Sequence, residues 1–62
     1  MTAREIFDRM VASGQATRSE IDEFFFLLSS DTLENQIAMT LTPDDTGTVY
    51  TTVSGQTIEV TE

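Results

Sequence analysis

The tripeptide Asp45-Thr46-Gly47 could supply one half of a proton-sharing pair of carboxylates, the chemistry of aspartic proteases. That chemistry needs an apolar strand before the Asp and a second copy of the carboxylate close by. Here Pro43 and Asp44 come first, so the stretch reads as a turn, for which Asp and Gly are well suited. Asp44, Asp45 and Gly47 also have the beginnings of a calcium loop. Such a loop needs alternating oxygen ligands and a bidentate Glu beyond them, whereas Val49, Tyr50 and Thr51 carry no carboxylate. The chain has no His and no Cys, so neither a Ser-His nor a Cys-His nucleophile can be assembled from one copy, and the usual transition-metal ligands are missing. The remaining carboxylates, Glu20, Asp22 and Glu23 among them, sit where helix starts favour negative charge. The expectation is a protein that is not an enzyme and uses no cofactor or metal.

Composition narrows the partners. Eleven Asp and Glu face three Arg and no Lys, a formal net charge of −8. Each Arg has an acid at helical spacing, in the pairs Arg4–Asp8, Glu5–Arg9 and Arg18–Asp22. Binding to a phosphate backbone releases counterions through Lys and Arg, so direct nucleic-acid binding is not expected. The acidity suits a basic protein surface, or serves only to keep a small domain in solution. The longest run of large apolar residues, Phe24 to Leu28, falls far short of the ~20 residues that span a bilayer. The opening MTAREIFDRM reads as a capped amphipathic helix and not as a signal peptide. A cytoplasmic protein is expected, or a virion component if the chain is a phage structural protein.

With 62 residues the chain makes one domain, and a domain this small buries only about 60% of the surface its unfolded form exposes. Disulfides are unavailable, so self-association or a larger partner is the remaining way to gain stability. Two segments share the pattern T-x-x-E-I, at Thr2 to Ile6 and at Thr17 to Ile21. Each is a capping box, in which the Thr hydroxyl and the Glu carboxylate satisfy each other's backbone N–H. Helices are predicted over about 2–13 and 18–29, the first stopped by Gly14 in a left-handed conformation. The short connection between them should fold them into a helical hairpin. Asp31-Thr32-Leu33-Glu34 is a third, weaker start that adds a helical turn or simply ends the hairpin.

From Asn35 the period changes to two, which predicts strands over about 36–42, 48–53 and 57–61. Treating Gly55-Gln56 as a two-residue loop pairs Val53 with Ile58 and Thr51 with Val60. Pairing Leu41 with Val49 places Met39 opposite Thr51 and Ile37 opposite Val53, on the same face. The expected fold is α+β: an N-terminal helical hairpin on one face of a three-stranded antiparallel meander, with Ile37, Met39, Leu41, Val49, Val53, Ile58 and Val60 turned inward. Thr40, Thr42, Thr48, Tyr50, Thr52, Thr57, Glu59 and Thr61 would then form an open outer face, and both outer strands would offer free edges.

Candidate binding residues follow from this arrangement. Ile21, Phe24, Phe25 and Leu28 share one stripe of the second helix with Leu27 beside it, and Phe26 lies roughly 150° from the stripe's centre. Phe26 is therefore the ring without a place in a simple core, and it and Leu27 are candidates for burial by a second subunit or a partner. Tyr50 is the anchor expected on the outer sheet face. Glu20, Asp22 and Glu23 complete the candidate set as an acidic surface. The function expected is protein–protein interaction or assembly, as a small phage or viral structural subunit or adaptor, with a protein partner or a homo-oligomer. The alternative is an inhibitor whose carboxylates imitate nucleic acid and block a basic site on a nucleic-acid enzyme.

Overall fold

The computed structural model describes residues 2–61 and shows an α+β fold in which helices cover one face of a mixed sheet. Helix α1 spans Ala3–Ser13, strand β1 Gln15–Thr17 and helix α2 Arg18–Leu28; helix α3 follows over Leu33–Ala38, then strands β2 (Leu41–Pro43), β3 (Val49–Thr52) and β4 (Thr57–Thr61). Both capping boxes form. Glu5 N–H donates to Thr2 Oγ1 at 3.2 Å and Thr2 N–H to Glu5 Oε1 at 2.8 Å. Glu20 N–H donates to Thr17 Oγ1 at 3.1 Å and Thr17 N–H to Glu20 Oε1 at 3.2 Å. Gly14, at φ 71°, closes α1 by donating its N–H to the Met10 carbonyl, a backbone conformation that favours glycine.

The sheet differs from the expected meander in having a fourth strand. The strands lie in the order β1-β4-β3-β2, with β1 parallel to β4 and the other two pairings antiparallel. The stretch expected to be a plain connection thus adds a strand beside the C-terminal one, and Glu59 N–H donates to the Gly14 carbonyl as the pairing begins. Ala16 faces inward from β1 and is buried.

The strand expected over 36–42 is corrected more fundamentally. Residues 33–38 form α3, and only Leu41 to Pro43 pair with β3. Local hydrogen bonds decide this: Thr32 caps α3 by accepting from Asn35 N–H, and Asn35 Nδ2 donates to Asp31 Oδ1 at 2.8 Å. Thr40 Oγ1 donates to the Gln36 and Ile37 carbonyls, satisfying acceptors at the end of the helix. The alternation of Ile37, Met39 and Leu41 was therefore not a strand face. Met39 ends α3 and is buried, Leu41 opens β2, and Ile37 is 63% exposed.

Register also shifts, and with it the faces. Tyr50 pairs with Ile58 and Thr51 with Thr57, while Leu41 pairs with Thr52. Both hairpins are offset from the expected register by an odd number of residues, which inverts β3. The β3–β4 connection is the cause: Thr52 N–H donates to the Gln56 carbonyl, so the loop is Val53-Ser54-Gly55, with Gly55 at φ 92° in the left-handed position of a three-residue hairpin. Tyr50 and Thr52 accordingly point inward, and Val49 and Val53 do not join the core. Thr52 tolerates burial because its Oγ1 accepts from Gln56 N–H at 3.0 Å.

The core consists of Ala3, Ile6, Met10, Ala16, Ile21, Phe24, Leu28, Met39, Leu41, Tyr50 and Ile58, with Phe7, Val11, Leu27 and Val60 packed at its margin. Phe7 and Phe24 stack at 5.9 Å between ring centroids, joining α1 to α2. No helix among the described residues is long and apolar enough to cross a membrane.

Candidate interaction surface

The C-terminal half of α2 and the whole of α3 form the part of the molecule where large apolar side chains remain outside. Phe26 is 72% exposed, Leu33 71% and Phe25 38%. Leu33 and Ile37 stand four residues apart and so occupy one stripe of α3. No residue of α3 is buried. This helix is held instead by polar ties: Gln36 Nε2 donates to the Leu28 carbonyl at 3.1 Å and to the Asp31 carbonyl at 3.2 Å. It thereby satisfies acceptors that the end of α2 would leave open. Between the two helices lies a shallow depression lined by Phe25, Leu28, Ser29 and Gln36. The exposed Phe26 follows Phe25 in the chain and the exposed Ile37 follows Gln36, two of the residues that line the depression.

Among the residues singled out by sequence, Phe26 stands outward as the helical stripe requires. Leu27 is partly buried against the core. Tyr50 is corrected from outer face to interior: it is 8% exposed, its ring lies 6.1 Å from that of Phe25, and Arg18 Nη1 donates to its hydroxyl at 3.3 Å. Phe25, expected wholly within the core, instead covers Tyr50 with one face and borders the depression with the rest of its ring. Leu33 was expected either in an added helical turn or at the end of the hairpin, and Ile37 as an inward strand residue, so neither was singled out as a surface residue. Their spacing after the Thr32 cap was the signal that could have found them.

The charges sort into committed and free. Glu20 is committed twice, through its capping oxygen and through Oε2, which accepts from Arg9 Nε at 3.0 Å. Arg18 does not meet Asp22 as expected but donates to Tyr50 and to the Gly47 carbonyl, tying the start of α2 to the β2–β3 turn. Arg9 likewise pairs with Glu20 and not Glu5, while Arg4 lies 3.7 Å from Asp8. Asp22 and Glu23, one turn before Phe26, are exposed, as is Glu34 beside Leu33. No Arg or Lys occurs after Arg18, and Asp22, Glu23 and Glu34 form no ion pair among the described residues.

Asp31 and Asp44 are each held below the ordinary carboxylate range. For Asp31 the causes are the hydrogen bond from Asn35, then that from Thr32, joined by the positive charge of Arg4 and opposed by desolvation. For Asp44, desolvation pushes upward but is outweighed by the Thr46 hydroxyl and the N–H groups of Thr48, Val49 and Gly47. That donor set makes Asp44 the organiser of the β2–β3 turn, where Asp45-Thr46-Gly47 also lies.

The sheet edges are less available than expected. On β1, Gln15 N–H donates to Ser13 Oγ, Ser13 Oγ donates to the Gln15 carbonyl, and Thr17 N–H is taken by Glu20. On β2, the Asp44–Val49 hydrogen bond sets an alternation that turns the backbone polar groups of Leu41 and Pro43 toward the open edge, and Pro43 has no N–H to give. Both edges are therefore blunted against strand addition. No family model, no curated protein and no solved structure matches the chain.

Proposed function

We propose that this chain is a non-enzymatic protein–protein interaction or assembly protein, a small subunit or adaptor of the kind that phage and viral particles employ, which docks through the end of the molecule built by α2 and α3. The observation that carries this reading is the concentration of exposed large apolar residues there: Phe25, Phe26, Leu33 and Ile37 come from one short segment, and Val53 is the only other large hydrophobic exposed among the described residues. Scattered exposed apolar residues need no explanation, whereas four from thirteen consecutive positions, one of them lining a depression, are what a contact surface would supply. Burying Phe26 alone would contribute about 1.5–3 kcal/mol, a large share of the few kcal/mol available to a domain of this size.

The alternative, an inhibitor imitating nucleic acid, needs free carboxylates spread over one face. It is weakened by the commitment of Glu20 to Arg9 and to the Thr17 cap, which leaves Asp22 and Glu23 of that acidic group. Affinity purification from the source cells tests the first reading, with wild type and Phe26→Ser compared side by side. A stoichiometric protein recovered with the wild type and lost with the variant is expected. Absence of any such protein, together with sedimentation as a monomer at all concentrations, would sink it.

A further inference from the structure

We propose that the α2–α3 surface receives a basic amphipathic polypeptide segment, which sets a large apolar side chain into the depression between Phe25, Leu28, Ser29 and Gln36 and directs Lys or Arg toward Asp22, Glu23 and Glu34. This rests on the interaction reading above and adds the chemistry of the partner. Each Arg of the chain is engaged elsewhere: Arg4 with Asp8, Arg9 with Glu20, and Arg18 with Tyr50 and Gly47. Arg4 also acts on Asp31, but Asp22, Glu23 and Glu34 have no ion-pair partner among the described residues, and the segment from Ser19 onward supplies no cation. Complementary charge at the rim of an apolar contact steers encounter and selects the partner.

The same charges argue against a second copy of this chain as the occupant. A two-fold interface places the same patch on both sides, which would bring Asp22, Glu23 and Glu34 of each copy around one apolar centre with nothing to neutralise them. An anionic membrane surface meets the same repulsion. Strand addition is disfavoured by the blunted edges.

The test is a titration followed by amide chemical shifts of the intact chain, at physiological salt, using short designed peptides as probes. A Leu/Lys amphipathic peptide should shift Phe25, Phe26, Ser29, Leu33, Gln36 and Ile37. It should bind about tenfold or more tightly than a Leu/Glu peptide of the same pattern or a Ser/Lys peptide of the same charge. Phe26→Ser and Ile37→Ser, at exposed positions where folding is not at stake, should each weaken it by about tenfold. Equal binding of the Leu/Glu peptide would overturn the proposed partner chemistry, as would shifts spread over Asp44, Asp45 and Glu59 that neither substitution alters. Concentration-dependent shifts of the patch residues without peptide would assign the surface to a second copy. Line broadening confined to the patch on adding phosphatidylcholine vesicles, with no response to the Leu/Lys peptide, would assign it to lipid. Self-association leaves the interaction reading standing and removes only the basic partner, so the two failures are distinguishable.

Discussion

The two ends of α2 are built on different principles. At its start, Thr17 and Glu20 cap the helix, Arg9 reaches across from α1 to the same Glu20, and Arg18 ties it to Tyr50 and the β2–β3 turn. Nearly every polar group there is used, and Ile21 and Phe24 bury their side chains alongside. At its other end the ties are a few hydrogen bonds from Gln36, and the apolar residues of α3 find nothing in the chain to cover them. The first end stabilises the fold. The second leaves outside apolar surface that a domain this small would otherwise use for its own core, which is the basis of the docking proposed above.

Substitutions can break that comparison. The largest effect is expected for Phe24→Ala, which removes a fully buried ring that stacks on Phe7. A loss of about 3–5 kcal/mol is expected, enough to abolish the cooperative transition in urea, whereas Phe26→Ser should leave it unchanged within about 0.5 kcal/mol. Comparable losses at the two positions would mean that Phe26 is a core residue after all. Next, Thr17→Ala should cost about 1 kcal/mol of global stability by removing the cap, read as a lowered denaturation midpoint.

A smaller and more local effect is expected from Gln36→Ala. Hydrogen exchange should accelerate within α3 while the amides of β3 and β4 keep their protection, because α3 adds almost no buried surface to the core. Uniform acceleration would show that the two ends are not separable. The smallest effect is that of acid. Asp31 and Asp44 have folded-state values lowered from an ordinary 3.8, so their stabilisation is complete above that value and is lost as the pH falls through the lowered one. Below about pH 4, α3 and the β2–β3 turn should therefore loosen first, and Asp31→Asn should remove the part of this dependence seen at α3 by amide shifts.

Legibility in the sequence followed the range of the interactions. The starts of α1 and α2 were readable because a capping box is complete within four residues, and Gly14 marks its own conformation. The outward placement of Phe26 followed from helical geometry alone, since neighbours on either side were demanded by the core. The segment from Leu33 to Leu41 was misread because a short alternation of apolar residues fits a strand or a helix equally. The Thr32 cap and the Asn35–Asp31 bond favour the helix locally, and Gln36 reaching back to the end of α2 adds a contact with no local signature. Tyr50 was misplaced because valines on both sides made the more apolar face look like the inner one, while the actual face is chosen by the length of the Val53-Ser54-Gly55 loop and by a hydroxyl partner on Arg18.

By itself the sequence determined the α+β class, the two long helices, an acidic composition without His or Cys, and a ring on α2 that its own stripe could not accommodate. These rest on composition and on interactions spanning one turn, which a chain carries wherever it folds. Only the tertiary structure decided the fourth strand, the inverted face of β3, the burial of Tyr50, the commitment of Glu20, and the depression that Phe25, Leu28, Ser29 and Gln36 line between α2 and α3. Each of these depends on groups far apart in sequence competing for the same partners, and that competition is settled only when the whole domain closes around its core.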